Sequence, residues 1–288
     1  MMPFVRSAAS LAFVAVFAVH AAAHAQDAAA GAVAEEAQQL VRQLNGRHAE
    51  KAASRLADLG KDALAALKEA LASKKWQVRY WAAYALAYSK AAKEGGGIEA
   101  LKPLLGDKKR RVGLRAAMAL FRLGDKSGLS FAKQESGSDK KDRRAEAFAA
   151  LASSGDVELV PQLKGALSDR HPKVRYWALL GLRDLAGADA LSLGLQYAKD
   201  RSPDVQTAAM EILSAQGKGK PEVERVLIGL LASKAASVRQ QSASVLARIG
   251  TKAALGALRK VRDGDRSGDV RSVAEAAVVE IMKRLKNG

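Results

Sequence analysis

Apolar side chains recur along this chain in a fixed pattern. From an anchor residue they return four, seven and eight positions later, as in Val78, Ala82, Ala85 and Leu86. This spacing aligns them in one stripe along an α-helix. Successive anchors lie 30 to 34 residues apart, and they are His48, Val78, Val112, Arg143, Val174, Val205, Val238 and Val270. The pattern therefore predicts one amphipathic helix in every repeat.

A glycine closes most of these stripes, and a second apolar segment then leads to the next anchor. The glycines are Gly60, Gly124, Gly155, Gly187, Gly217 and Gly250. Glycine adopts the left-handed conformation that ends a helix, so we expect two antiparallel helices per repeat. No segment alternates with the period of two that a strand needs. A repeat of this length predicts an all-α, right-handed α-solenoid of about seven to eight helix pairs.

The turn between the two helices of a repeat has its own regularity. An aspartate lies five residues before its anchor at Asp107, Asp169, Asp200 and Asp265, and Asp139 lies four before. An arginine follows the anchor at Arg79, Arg144, Arg175, Arg239 and Arg271. Regular recurrence of this kind indicates a structural role for these residues.

The aspartate at the turn and the arginine after the anchor resemble the Asp/Arg ladder of HEAT repeats. The Val-Arg-x-x-Ala core, as at Val174 to Ala178, is most similar to the short HEAT-like repeats of phycobilisome lyases. The resemblance extends over roughly residues 47–286, and it implies that these arginines bond to turn acids or carbonyls. Gly113 and Gln206 break the arginine position, so we expect the ladder to be interrupted there.

The N-terminal residues have the features of a secretory signal. Arg6 precedes an apolar run from Ala8 to Val19, and Ala23 to Ala25 supplies the small residues of a cleavage site. The run is too short for a membrane anchor. We therefore expect a signal peptide at 1–25, a flexible mature N-terminus at 26–32, and one HEAT-like domain at 33–288. Cleavage near Ala25 would make the protein periplasmic or secreted.

The chain is strongly basic, with a formal net charge of +17. Its cations concentrate at or beside the turns within repeats, which predicts a basic ridge. The residues proposed for this ridge are Lys108, Lys109, Arg110, Arg111, Lys140, Lys141 and Arg143. Such a ridge would attract acidic proteins or polyanions, and the alternative is an ordinary solvated edge.

Candidate catalytic residues are scarce. After the signal segment only His48 and His171 remain as histidines, four repeats apart, and cysteine is absent. No His-Glu pair, nucleophile elbow or phosphate-binding loop occurs, so the di-iron chemistry of HEAT-like deoxyhypusine hydroxylases is not implied. We expect no catalytic residue, no metal, no small-molecule cofactor and no enzyme activity.

Aromatic residues cluster in one repeat. The chain has 6 Phe, 3 Trp and 5 Tyr, and five of these lie between positions 76 and 88. Tyrosine and tryptophan combine large contact area with a polar tip, which suits recognition. The candidate partner-binding residues are Tyr80, Trp81, Tyr84 and Tyr88, with Tyr176 and Trp177 as weaker candidates. The alternative is packing between repeats, particularly for the tryptophans.

Two functional hypotheses follow from these features. The first is a non-enzymatic exported scaffold that binds a protein or peptide through the concave face of the solenoid, and the nearby basic residues would favour an acidic partner. The second is a binder of nucleic acid or acidic polymers through the basic ridge. Salt separates them, because polyanion binding weakens steeply as salt rises.

Overall fold

The computed structural model describes residues 30–287. In this part of the chain every regular element is a helix, and the helices follow one another as eight pairs. The predicted all-α architecture of seven to eight helix pairs is therefore confirmed. No helix between residues 30 and 287 combines the length and the apolar character that a membrane crossing requires.

Contacts divide the chain into two compact units, Met1–Gly128 and Leu129–Gly288. The helices of unit 1 are α1 (30–43), α2 (Ala49–Asp58), α3 (Leu64–Ala70), α4 (Trp76–Tyr88), α5 (Gly97–Leu101) and α6 (Arg110–Arg122). A 3-10 turn, Lys102–Gly106, extends α5. The even-numbered helices are the second helices of their pairs, and α4 packs between α2 and α6.

Unit 2 repeats this arrangement five times. Its first helices are α7 (Leu129–Ser136), α9 (Val160–Ala166), α11 (Ala190–Tyr197), α13 (Pro221–Leu230) and α15 (Leu255–Gly264). Its second helices are α8 (Lys141–Ser153), α10 (Pro172–Leu185), α12 (Pro203–Gln216), α14 (Ala236–Ile249) and α16 (Gly268–Asn287). Each second helix packs on the second helices before and after it within the unit.

The apolar stripes form the core of both units. Val78, Ala82, Ala85 and Leu86 of α4 are all buried, as are the equivalent residues of α6, α10, α12 and α14. Two of these four positions are alanine in α4 and α6, and the fourth position is leucine in all five helices. Complete burial of one leucine contributes about 1.5–3 kcal/mol.

Two of the predicted anchors differ from the rest. His48 is exposed and lies just before α2, and the buried stripe of that helix starts at Ala49, so the predicted first anchor was wrong by one residue. Arg143 is half-buried, and its Nε lies 3.4 Å from a carboxylate oxygen of the buried Glu135. A buried charge requires such a partner.

The glycines that close the stripes fall into two groups. Gly60, Gly124, Gly155 and Gly187 have positive φ angles, as predicted. Gly217 and Gly250 do not, with φ angles of −92° and −68°, so a left-handed conformation was wrong for them. A Cβ atom at Gly217 would lie 2.4 Å from the carbonyl oxygen of Leu213. Close packing, and not backbone conformation, therefore requires glycine there.

The predicted N-terminal boundaries fall mostly outside the described residues. The signal peptide at 1–25 and residues 26–29 lie outside them. Residues 30–32, which we expected to be flexible, are helical in the structure and belong to α1. The proposed single domain at 33–288 remains a prediction.

Candidate functional site

The repeated arginines form rungs between successive repeats. Arg79 on α4 donates two hydrogen bonds to Asp107, from Nε at 2.6 Å and Nη2 at 2.9 Å, and its Nη1 donates to the Ser73 carbonyl at 2.7 Å. The rungs of unit 2 have the same geometry, and they are Arg144–Asp169, Arg175–Asp200 and Arg239–Asp265. The guanidinium thus joins the turn of its own repeat to the turn of the next.

Each rung aspartate also orders the start of its second helix. Asp265 Oδ1 accepts a hydrogen bond from the Ser267 backbone N–H at 2.8 Å. The hydrogen bond from Arg239, helped by the one from Ser267, lowers the pKa of Asp265 to about 2 against the opposing effect of burial. For Asp107, burial raises the pKa, but hydrogen bonds from Arg79 and the Lys109 backbone outweigh it and hold the pKa below its ordinary value.

The rungs are interrupted where the arginine is missing, and the turns there carry a matching change that the repeat pattern did not lead us to expect. Serine occupies the aspartate position wherever the preceding repeat lacks the arginine, at Ser73, Ser138 and Ser233. The serine hydroxyl still accepts from the backbone N–H two residues later, as Ser233 does from Ala235 at 3.3 Å. Asp139, which we had aligned with the turn acids, lies one position beyond this site. Comparing neighbouring repeats pairwise would have revealed the rule.

Arg271 is the predicted ladder residue that has no carboxylate in its hydrogen bonds. Its Nη1 donates to the Asp265 carbonyl at 2.6 Å, which is the bond to its own turn. Arg144, by contrast, forms a complete rung.

The aromatic residues of α4 form a continuous chain of ring contacts. Trp76 meets Tyr80 with ring centroids 6.4 Å apart, and Trp81 lies 5.3 Å from Tyr80 and 5.4 Å from Tyr84, all edge to face. Tyr84 and Tyr88 follow at 4.8 Å. Trp76, Tyr80, Trp81 and Tyr84 are half-buried against the core, whereas Tyr88 is 48% exposed. Four of these residues therefore pack against the core, and Tyr88 is the exposed member of the cluster.

Arginines of α6 lie over the tyrosine rings, and sequence reasoning did not identify them. The Arg115 guanidinium carbon is 4.5 Å from the Tyr80 ring centroid and 5.4 Å from that of Tyr84, and its Nη2 donates to the Tyr80 hydroxyl. The corresponding atom of Arg122 lies 4.1 Å from the Tyr88 ring centroid. These distances are typical of cation–π contacts, which contribute about 0.5–1 kcal/mol at exposed sites.

We call this surface the Tyr–Arg face, and it consists of Tyr80, Tyr84 and Tyr88 of α4 with Arg115 and Arg122 of α6. Tyr88 and Arg122 both lie ten residues after their anchors. Equivalent positions on adjacent parallel helices are neighbours. The equal spacing of Tyr88 and Arg122 from their anchors could therefore have predicted this contact from the sequence. The tryptophans of α4 support the face from the side of the core.

The weaker aromatic candidates lie in unit 2 on α10. Tyr176 and Trp177 contact each other edge to face at 5.0 Å, and both are half-buried. Burial raises the pKa of Tyr176, and the nearby carboxylates of Glu211 and Asp204 raise it further. Acidic neighbours thus distinguish this pair from the Tyr–Arg face.

The proposed ridge residues lie at the starts of α6 and α8. Lys108, Lys109, Arg110 and Arg111 are exposed in unit 1, and Lys140 and Lys141 are exposed in unit 2. Arg143 differs, because its side chain is half-buried next to Glu135.

Within residues 30–287, no group of three or more histidine, aspartate or glutamate side chains is arranged to hold a metal ion. His48 and His171 lie in different units. Three surface grooves have volumes of about 500–590 Å³, and one of them is lined by Val226 and Leu230 of α13.

A family model for HEAT repeats matches residues 64–152 and 192–278, which is more than half of the chain. The chain belongs to the HEAT-repeat family. A HEAT-repeat architecture suits a scaffold or adaptor, and HEAT repeats generally mediate protein interactions. A comparison of this HEAT-repeat protein's sequence with curated proteins finds no match.

Several solved structures are similar to this HEAT-repeat protein. YibA of Escherichia coli is 18% identical, with a TM-score of 0.49, over 86% of this chain and 96% of YibA. The CpcE–CpcF complex of phycocyanin lyase from Nostoc sp. PCC7120 is 20% identical, with a TM-score of 0.48, over 77% and 92%. Human deoxyhypusine hydroxylase is 21% identical, with a TM-score of 0.38, over 88% and 98%.

Proposed function

We propose that this HEAT-repeat protein is a non-enzymatic scaffold that binds a protein or peptide through the Tyr–Arg face of unit 1. The observation that carries the proposal is the exposure of Tyr88 beside Arg122, at the end of a chain of aromatic contacts that fixes the rings. Tyrosine and arginine are, with tryptophan, enriched among the residues that contribute most binding energy at protein interfaces.

Rigid aromatic residues make this face suitable for recognition. Trp81 contacts both Tyr80 and Tyr84, and Tyr84 contacts Tyr88, so each ring has restricted freedom before a partner arrives. Binding then costs less side-chain entropy than it would on a flexible surface. Three of the six candidate residues therefore remain as contact residues, and they are Tyr80, Tyr84 and Tyr88. The other three candidates were Trp81, Tyr176 and Trp177.

Selection of peptides from an unbiased display library on the full chain tests this proposal. Enriched peptides should bind the Tyr88→Ala variant at least fivefold more weakly, and the Y84A/Y88A variant more weakly still. Tyr88→Ala should lower the melting temperature only slightly, because about half of the side chain is exposed. Tyr176→Ala, at the position of unit 2 equivalent to Tyr80, is the control. Equal losses in Y88A and Y176A, or no enrichment, would refute the proposal.

A second candidate function is the binding of acidic polymers through the exposed cations Lys108, Lys109 and Arg110. Neutralisation of phosphates releases counterions, so the logarithm of affinity for single-stranded DNA should fall linearly with the logarithm of salt concentration. The K108Q/K109Q variant should reduce that slope. A weak or salt-insensitive interaction would rule this function out.

We also propose that the chain is exported and cleaved after Ala25. The support is the run from Ala8 to Val19 followed by Ala23-His24-Ala25. Intact-mass measurement on the protein recovered outside the cytoplasm should give an N-terminus at Gln26. Recovery of full-length protein from the cytoplasm alone would contradict export.

A further inference from the structure

The Tyr–Arg face carries positive charge without local compensation. Helices α4 and α6 contain no aspartate or glutamate. Among the described residues, the contacts of Arg115 are the Tyr80 hydroxyl and the Tyr80 and Tyr84 rings, and Arg122 contacts the Tyr88 ring. Neither arginine forms an ion pair there, whereas Arg79 on α4 is fully engaged by Asp107.

The tyrosine rings fix the positions of the two guanidinium groups, but hydrogen-bond donors of these groups remain without an acceptor in the described part of the chain. The Arg115 Nε–H is buried and has no hydrogen-bond acceptor within the described residues. Stacking on a tyrosine ring fixes the plane of a guanidinium while leaving its N–H groups free to donate. A carboxylate would form charge-assisted hydrogen bonds with the terminal nitrogens of Arg122, which is exposed, and of Arg115, which is half-buried.

The spacing of the two arginines restricts what can bind both. Arg115 and Arg122 are seven residues apart on α6, which corresponds to two helical turns and about 10.5 Å along one face. In a polyproline II segment, side chains three residues apart point to the same side at about 9.3 Å. Two acidic residues in that arrangement can reach both guanidinium groups together.

We infer that the partner of the Tyr–Arg face is an extended acidic protein segment, with two carboxylates three residues apart bound by Arg115 and Arg122. The inference rests on the proposed function, and it adds the chemical class of the partner. Tyr84 and Tyr88 would contact the backbone and side chains next to the two acids, because their rings contact Arg115 and Arg122 respectively.

Three fluorescent proline-rich peptides of equal length test this inference by anisotropy on the full chain. One carries Glu-Pro-Pro-Glu, the second carries Glu-Glu-Pro-Pro, and the third carries glutamine in place of both acids. The first should bind about tenfold more tightly than the others, because only its two acids have the spacing that reaches both guanidinium groups.

Variants then assign the effect to the arginines. Arg122→Gln should weaken the first peptide about tenfold with an unchanged melting temperature, and Arg122→Lys should restore part of the loss. The matched control is Arg248→Gln, because Arg248 occupies the same repeat position on α14 and is also exposed, but aligns with Ala215 of α12 where Arg122 has Tyr88. The control should bind like the wild type.

The outcomes separate this inference from the proposed function. Equal binding of both acidic peptides, or equal loss in R122Q and R248Q, would show charge attraction alone and overturn the inference. Display peptides that need Tyr88 but lack acidic residues would overturn it too, while leaving the proposed function standing. Failure of the display selection itself would overturn both.

Discussion

At the scale of single residues, a rung arginine has two tasks that one guanidinium can perform together. In Arg175, Nη1 donates to the Asp169 carbonyl at 2.8 Å, while Nε and Nη2 bond both carboxylate oxygens of Asp200 at 2.9 and 2.7 Å. Both side chains of the pair are less than 10% exposed. Lysine has no planar fork and cannot replace this arrangement.

Removal of one rung partner should therefore be costly. We expect Arg175→Ala to lower the free energy of unfolding by about 3–5 kcal/mol, because Asp200 would remain buried without its cation. Arg271→Ala is the matched control, since Arg271 has the same repeat position but is exposed and bonds a carbonyl, and it should change stability by less than about 0.5 kcal/mol. Urea unfolding measures both. Similar values for the two variants would contradict the structural role.

The low pKa of Asp265 makes stability depend on pH in a defined window. The folded pKa is about 2, and an unfolded aspartate has a pKa of about 3.9. The unfolded state therefore binds the proton first, so this contribution is complete above about pH 4 and is lost as pH falls towards about 2. Asp265→Asn should flatten the dependence of unfolding free energy on pH between about 5 and 2.5. Parallel wild-type and D265N curves, or equal flattening by the exposed control Asp139→Asn, would refute this.

At the scale of elements, adjacent repeats are matched in pairs. An arginine in one repeat occurs with an aspartate in the next, and a repeat without the arginine precedes a serine. The carboxylate would be an uncompensated charge in those turns, and the smaller hydroxyl still supplies the backbone acceptor. Neighbouring repeats are thus coupled by side chains as well as by the apolar stripe.

A missing rung can be rebuilt to test this coupling. Gln206 and Ser233 are 27 residues apart, within the 25 to 28 that separate the partners of existing rungs. The Q206R/S233D double variant should be more stable than the sum of the two single variants predicts, with a coupling of about 0.5–3 kcal/mol. A double-mutant cycle in urea measures it. Additive effects would show that the ladder positions act independently.

At the scale of the whole molecule, each compact unit has its own buried stripes and its own rungs. All three rungs of unit 2 lie between residues 144 and 265. In repeat proteins stability arises from contacts between adjacent repeats, so such a set of pairs is expected to fold without distant parts of the chain. The Tyr–Arg face likewise depends on only two adjacent helices, α4 and α6.

This locality predicts that residues 129–288 fold when prepared alone. The fragment should show a cooperative helical melting transition by circular dichroism, and Arg175→Ala should lower its midpoint as it does in the full chain. Arg79→Ala, made in the full chain, removes the Arg79–Asp107 rung of unit 1 and should likewise lower the melting midpoint. A fragment without a cooperative transition would show that its helix pairs need residues before 129.

The sequence by itself determined the repeat, the helix pairs and the ladder positions. These depend on local periodicity, since an apolar stripe such as Val78 to Leu86 and a turn residue such as Asp107 each act at a fixed spacing. The errors in these predictions were also local. The first anchor was placed at His48 in place of Ala49, and a left-handed conformation was predicted for Gly217 and Gly250, where a nearby carbonyl oxygen leaves no room for a Cβ atom.

Only the tertiary structure decided which residues make up the candidate site. Periodicity on α4 marked Tyr80, Tyr84 and Tyr88, but the cations over them come from α6, 31 to 35 residues away in sequence. Helix packing brings Arg115 and Arg122 to those rings. It also places the side chain of Arg143, which we expected on the basic ridge, next to the carboxylate of Glu135. The physical reason is that spacing within a helix sets which face a residue occupies, while its partners depend on the helix that packs beside it.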